Sequence, residues 1–361
     1  MSRIRPWAIG VASLLGVVPS SVGAQDSVST PVVAFGAFAD AYYAYDFGRP
    51  PSGDRVYTTQ PARHNEFNVN LAHIEAVLQG ERVRGRIALQ AGTSVQANYA
   101  GEPSRGEISG PEATRFIQEA RAGVRLHEGL WLDGGIYFSH IGQESWISRD
   151  NPTYSRSLTA DYTPYYSAGA RLTWQATPSL SVQAHVMNGW QNVSESNGDK
   201  AVGLRLEWQA APRLLVGYDN FIGNELPDSL PAATRVFNEV FARWTPHDGT
   251  DLWLTANVGV QDGATWYSAT LVARRRLSAT VALNARVERY ADPDQVVVVT
   301  GGADGLEAWG ASVGVDVSFA GRALWRTELR GFRGDAPLFP DGSGPLIRDG
   351  GFVVGSLAVG F

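Results

Sequence analysis

The chain has 361 residues, no cysteine and a formal charge of −6. This excludes a disulfide framework, a thiolate nucleophile and a thiolate metal site, and it lacks the basic surplus of a nucleic-acid binder. Mean hydropathy is −0.15, ordinarily the mark of a soluble protein, yet a membrane barrel with a polar lumen averages to a similar value.

Residues 1–24 read as a secretory signal. Arg3 and Arg5 give the positive start, residues 7–18 the apolar stretch, and Val22, Gly23 and Ala24 the small residues before cleavage. The mature chain is predicted to begin at Gln25, with residues 25–361 forming one barrel. No later stretch is apolar for about 18 residues, so no helix is predicted to span a membrane.

From residue 33 onward the pattern is alternation. Sixteen strands are predicted, at 33–45, 65–78, 83–95, 116–126, 130–140, 165–174, 180–187 and 201–208 in the first half. The second half continues with 214–222, 235–244, 252–261, 266–277, 280–290, 306–319, 323–332 and 351–361. In the eighth, Val202, Leu204, Leu206 and Trp208 interleave with Gly203, Arg205 and Glu207, so one face is greasy and the other charged. A soluble core has no place for those charges. In a membrane barrel the apolar face meets lipid and the charged face meets a water-filled lumen. The predicted fold is therefore all-β, a transmembrane antiparallel up-and-down β-barrel. In the second strand the alternation slips near His73, which predicts a bulge.

Short and long connections take turns. Short ones such as Gln79-Gly80-Glu81 and Gln209-Ala210-Ala211-Pro212 read as periplasmic turns. The long ones, at 46–64, 96–115, 141–164, 189–200, 223–234, 291–305 and 334–350, read as extracellular loops. Asp262-Gly263 is short enough for a hairpin turn. Trp174, Trp208 and Trp244 fall at the periplasmic strand ends, and Tyr43, Phe138 and Trp309 near the outer ends, as expected of rings that favour the headgroup level. Arginine at the lipid-facing Leu204, Val258 or Val315 should be harmful, whereas the lumen neighbour Gly203 should accept it.

The last strand places Val353, Gly355, Leu357, Val359 and the terminal Phe361 on one face. An aromatic end of this kind resembles the carboxyl-terminal signal by which outer-membrane barrels engage their assembly machinery. Further motifs follow the same order along the chain: Phe38-Ala39-Asp40-Ala41-Tyr42-Tyr43-Ala44-Tyr45-Asp46, then Tyr154-Ser155-Arg156-Ser157, then Pro164-Tyr165-Tyr166-Ser167-Ala168-Gly169-Ala170-Arg171, then Asn188-Gly189-Trp190-Gln191-Asn192 and Lys200-Ala201-Val202-Gly203. With these in place the chain resembles the OmpL-like β-barrel porin family of Gram-negative bacteria. The resemblance implies an outer-membrane location, contact with lipid and lipopolysaccharide, passage of small hydrophilic solutes, and no cofactor. Monomer and homotrimer both remain open.

By strand parity the lumen wall carries Arg84, Arg86, Arg121, Arg125, Arg171, Arg205, Arg286, Arg326 and Arg330, interleaved with Glu119, Glu207, Glu239, Glu288 and Glu328. Arg235, Arg243, Arg274, Glu66 and Asp316 share that parity. The simpler reading is cross-strand pairing that braces a hydrated wall. The sharper reading is a basic ladder facing an acidic inserted loop, with a transverse field that orients polar solutes. By resemblance to general porins, the loop 141–164 folds into the lumen and narrows it, bringing Glu144, Asp150 and Asp161 towards Arg84, Arg86 and Arg121. Otherwise it lies over the outer mouth or on a neighbouring barrel, and Trp146, Ile147 and Tyr154 suit either arrangement.

Six histidines, His64, His73, His127, His140, His185 and His247, are scattered over strands, turns and loops, so no nucleophile-and-base arrangement is assigned and the chain is not read as an enzyme. The loop acids Asp292, Asp294, Asp335, Asp341 and Asp349 lack EF-hand spacing and read as solvated charges, bridged to lipopolysaccharide by divalent ions rather than forming a metal site. The reading is thus a porin for passive diffusion. A plugged barrel whose loops serve adhesion or surface structure ranks second, and an outer-membrane hydrolase third.

Overall fold

The computed structural model describes residues 31–361, and the predicted signal lies outside the described residues. The first eight strands are β1 (Val32–Asp46), β2 (Phe67–Gln79), β3 (Val83–Ala91), β4 (Ile117–His127), β5 (Leu130–Phe138), β6 (Tyr166–Thr177), β7 (Leu180–Met187) and β8 (Ala201–Ala211). The other eight are β9 (Leu214–Asn224), β10 (Thr234–His247), β11 (Thr250–Gln261), β12 (Ala264–Arg276), β13 (Val281–Asp292), β14 (Leu306–Phe319), β15 (Ala323–Gly334) and β16 (Asp349–Gly360). Each pairs antiparallel with its sequence neighbour, and β1 pairs with β16, closing the barrel. Closure leaves no open edge, which is what lipid demands of a sheet. Among the described residues no helix is long and apolar enough to cross a membrane.

All sixteen predicted strands are present, in order. The alternation that predicted them has its physical counterpart in burial. On β14, Trp309, Val313 and Val315 are exposed while Ser312 and Asp316 are buried; on β8, Val202 and Trp208 are exposed. The tryptophans Trp174, Trp208, Trp244 and Trp309 all lie on the exposed face. Asp262 and Gly263 both have positive φ, 51° and 84°, the pairing a type I′ hairpin requires between β11 and β12.

The second strand slips where the alternation does. Between β1 and β2 the register shifts at Asp40/Ala41, opposite Leu71 and Val69, so Asn70 is the extra residue. Val69 is then exposed and Leu71 buried, and His73 turns inward against the Phe38 ring.

The third strand ends earlier than predicted. Gly92 adopts φ 140°, and a Cβ there would meet the Asn70 carbonyl, so the chain turns out of the sheet and forms α1 (Thr93–Asn98) instead of continuing to Val95. A second correction concerns Gly203. It has the predicted inward parity, but a Cβ would land against His140 and the Asn220 carbonyl, so this position has no room for arginine.

Candidate functional site

The loop between β5 and β6 enters the barrel. Trp146 and Ile147 bury against Phe38, Leu71, Val95 and Tyr99, and the Trp146 indole donates to Ser94 Oγ at 3.1 Å. Ser148 Oγ donates to Asp40 on β1 at 2.8 Å. A short helix, α2 (Leu158–Asp161), is capped by Ser157, whose Oγ accepts from the Ala160 amide at 3.1 Å. The Thr159 and Thr270 hydroxyls meet at 2.7 Å, so α2 touches β12 across the lumen. Loop backbone cannot stay unpaired once it leaves water. The far wall supplies the partners.

That wall is β13, β14 and β15. Arg326 donates to the carbonyls of Ser148 (2.7 Å), Asn151 (3.0 Å) and Pro152 (2.9 Å), while Asp316 takes its Nε at 2.9 Å. Arg286 reaches the Ser155 carbonyl at 2.7 Å and Glu328 at 2.9 Å. Arg330 reaches the Arg156 carbonyl at 2.7 Å and Glu288 at 2.6 Å. The two glutamates complete the grip: Glu328 accepts from the Ser155 amide at 2.7 Å, and Glu288 from the Leu158 amide at 2.6 Å. The side chains of Arg286, Arg326 and Arg330 are 0–1 % exposed. Such depth is tolerable because every charge is paired and hydrogen-bonded.

The wall of β3 to β6 differs. Asp133 on β5, fully buried, gathers Arg84, Arg121 and Arg171: Arg84 Nε at 2.7 Å, Arg121 at 3.5 Å and Arg171 at 3.4 Å. Arg86 pairs with Glu75 at 2.7 Å and also with Glu119, which takes Arg121 at 3.4 Å. Here Asp133 and Glu119 lie deepest, while Glu75, at 22 %, is as open as the guanidinium groups. Asp133 and Glu119 are 0 % and 4 % exposed, whereas Arg84, Arg86, Arg121 and Arg171 keep 16–19 %.

Of the three loop acids, only Asp150 comes near an arginine that the resemblance named, within the field of Arg86. Glu144 turns back onto its own loop and accepts from the Ser157 amide at 3.0 Å. Asp161 accepts from Thr59 and Tyr165, each at 2.7 Å; burial pushes its carboxyl above the usual range. Asp150 lies 3.9 Å from Arg149, and burial raises it too, with the Arg149 and Arg86 charges opposing the rise. None of the three bonds to Arg84, Arg86 or Arg121, because those arginines are taken by wall acids.

Between the two walls, Arg205 pairs with Glu207 at 2.8 Å and Asp219 at 3.0 Å, and also holds the Gly142 carbonyl at 3.0 Å. Glu239 accepts from Asn257 at 3.0 Å and is fully buried. Arg125 sits at the turn end, 32 % exposed, 3.5 Å from Glu81. Glu66 lies outside β2 and pairs with Arg63 at 2.9 Å, so it belongs to the outer rim. Phe361 is 70 % exposed, one residue past β16, and its amide donates to the Ala37 carbonyl at 2.9 Å. Sequence reasoning missed Asp133, although Leu130 and Leu132 beside it fix its inward parity. It missed Ser155 and Asp40 for another reason: their roles come from the loop's path.

A family model described as "putative beta-barrel porin-2, OmpL-like" matches residues 32–361. No curated protein matches by sequence. Among solved structures, the outer-membrane channel DcaP of Acinetobacter baumannii is similar with a TM-score of 0.63 at 10% identity, covering 92% of this chain and 97% of that one. The anion-selective porin from Comamonas acidovorans has a TM-score of 0.59 at 11% identity, with 92% and 100% covered. Salmonella typhi OmpF follows with 0.58 at 14% identity, with 91% and 97% covered.

Proposed function

Since the chain belongs to the OmpL-like putative β-barrel porin-2 family of outer-membrane proteins, we propose that it passes small hydrophilic solutes by passive diffusion along the β3–β6 side of its lumen. The observation that carries this reading is which strands hold the inserted loop and which do not. Its backbone is fastened to β8, β10 and β13–β15, and among the described residues no loop group bonds to the partly exposed arginines of β3, β4 and β6, which are left facing the remaining space. With Asp133 and Glu119 beneath four guanidinium groups and Glu75 the one acid beside them, that surface presents net positive charge and favours anions. Glu144, Asp150 and Asp161 then shape the constriction from the loop side without forming its charged rim.

Lipid, lipopolysaccharide and the barrel assembly machinery are the partners on this reading, with Phe361 as the assembly signal and cleavage after Ala24. A homotrimer is one assembly it can adopt; OmpT of Vibrio cholerae, which has a TM-score of 0.59 to this chain, is described in a trimer form. The reading needs no chemical step and no cofactor.

Single-channel recording in planar bilayers tests it. Stepwise conductance with anion preference is the expected result, and a silent membrane carrying folded barrel would overturn it. One observation favours the plugged scaffold as second reading: the loop's grip at Arg326 and Arg330 leaves those side chains 0–1 % exposed. The same silent membrane would be its signature.

A further inference from the structure

Three guanidinium groups from three strands meet on the one carboxylate of Asp133. Arg84 of β3 and Arg171 of β6 approach it side-on, each through Nε and Nη2, and Arg121 of β4 reaches it through Nη1 at 3.5 Å. Each arginine therefore keeps one terminal amino group clear of the acid: Nη1 of Arg84, Nη1 of Arg171 and Nη2 of Arg121. Among the described residues none of these three nitrogens has a hydrogen-bond partner, and none is buried, so all three are open to the lumen. Two of the planes are also fixed from the side. The Arg84 guanidinium lies 4.5 Å from the Trp131 ring centre, and that of Arg171 lies 4.8 Å from the centre of Tyr137.

Charge alone makes this wall attractive to any anion, since with Arg86 it sets four guanidinium groups against the three carboxylates of Asp133, Glu119 and Glu75. The fixed amino groups ask for a particular shape. Chloride offers a single point, and a flat carboxylate matches one fork with its two oxygens. A tetrahedral oxyanion turns three oxygens to one side, where amino groups from three strands can each take one. Asp133 has two opposed effects on such an ion. Its charge repels the ion from beneath, but it also holds three like charges side by side that would otherwise spread apart. Forks already held by an acid and by aromatic faces lose little freedom when a ligand arrives, so the holding outweighs the repulsion.

We propose that Arg84, Arg121 and Arg171 form a seat for a tetrahedral oxyanion, a phosphate or sulfate group, and that the buried Asp133 is the positioning residue that makes it one. The proposal deepens the porin reading and rests on it for its purpose, but the seat is testable apart from conduction. The purified full-length barrel in detergent is titrated by calorimetry with inorganic phosphate, sulfate, glucose 6-phosphate and succinate, at ionic strength matched with sodium chloride. Saturable binding of phosphate and sulfate is expected, with succinate weaker by about tenfold, the worth of one charge-assisted hydrogen bond. Equal binding of glucose 6-phosphate assigns the seat to the phosphate group of any solute that fits, and binding of the inorganic ions alone assigns it to the free ion. Two variants separate a seat from a field. Asp133→Asn removes a negative charge, so a field acting alone would tighten phosphate binding, whereas loss of the positioning residue weakens it. Arg171→Lys keeps the charge and loses the fork, so a field would leave binding unchanged and the seat loses about tenfold. Heat-modifiable gel mobility shows which variants are folded; if Asp133→Asn fails that check, Arg171→Lys alone decides. No saturable phosphate binding, succinate bound as tightly as phosphate, or binding undiminished in a folded variant would each overturn the proposal. Bilayer recording keeps the two readings apart. A conducting barrel that shows no saturable phosphate binding sinks the seat and leaves the porin standing, whereas a silent barrel that binds phosphate does the reverse.

Discussion

Arg286, Arg326 and Arg330 on one side of the lumen and Arg84, Arg86, Arg121 and Arg171 on the other are the same residue type on the same kind of surface, yet the first group is 0–1 % exposed and the second 16–19 %. Strand geometry does not separate them. What separates them is what lies opposite. The sealed group faces loop backbone, whose carbonyls need donors once out of water, and each guanidinium supplies up to five. The open group faces no such backbone, so its forks bind acids beneath them and keep an outer edge free.

The largest way to break this comparison is Arg326→Ala. It strips three loop carbonyls of their donor and leaves Asp316 buried with only Arg274, at 3.3 Å, as a charged partner. Losing one member of a buried pair costs about 3–5 kcal/mol, so denaturant unfolding in detergent should show a loss of that order, and surviving channels should conduct more. An unchanged conductance and midpoint would mean the loop is held elsewhere.

The lipid face should be blind to the contrast. Arginine at Leu204 on β8 or at Val315 on β14 should cost about 2–4 kcal/mol in either place if the position lies at the bilayer midplane. Unequal losses at matched depth would show that the loop's seal stiffens its own side of the barrel.

A smaller effect, and one confined to acid, sharpens the boundary between the halves. His140, just past β5, is buried against His185, and burial pushes its pKa down to about 4. The unfolded chain takes up a proton near 6.5 and the folded one does not, so this group adds no penalty above about pH 6.5. Stability should then fall as pH drops towards 4, by roughly 3 kcal/mol in all at about 1.4 per pH unit. His140→Asn should flatten that slope, which unfolding midpoints across the interval measure directly.

Arg86→Glu is read by selectivity rather than stability, because it also takes from the buried Glu119 one of its two arginines. Its effect belongs in the reversal potential, which should move towards cations. If Arg330→Gln on the sealed side shifts selectivity more than Arg86→Glu does, the assignment of the conducting side is wrong.

The barrel was legible in the sequence because lipid imposes alternation on every strand, and even the Asn70 bulge left its trace as a slip beside His73. Where β3 stops was not legible, since Gly92's close approach to Asn70 is a tertiary fact. Wall residues followed the same division. Parity places Arg84, Arg86 and Asp133 inward, but parity says nothing of which acid an arginine meets when Glu75, Glu119 and Asp133 all lie within reach. The loop was the least readable part. Its acids drew attention by their charge, whereas it is held through carbonyls and amides, which every residue carries.

That way of holding has a bearing on how such a protein changes over generations. Arg326 grasps Ser148, Asn151 and Pro152 by main-chain oxygens, and a substitution at any of them leaves the oxygen in place. Ser148, Thr153, Tyr154, Ser155 and Thr159 also bond to the wall through their side chains, but the grip of Arg326 and Arg330 on main-chain oxygens survives a change of side chain at any residue so held. The inner surface that a passing solute meets can therefore drift towards new cargo while the strands around it stay as they are.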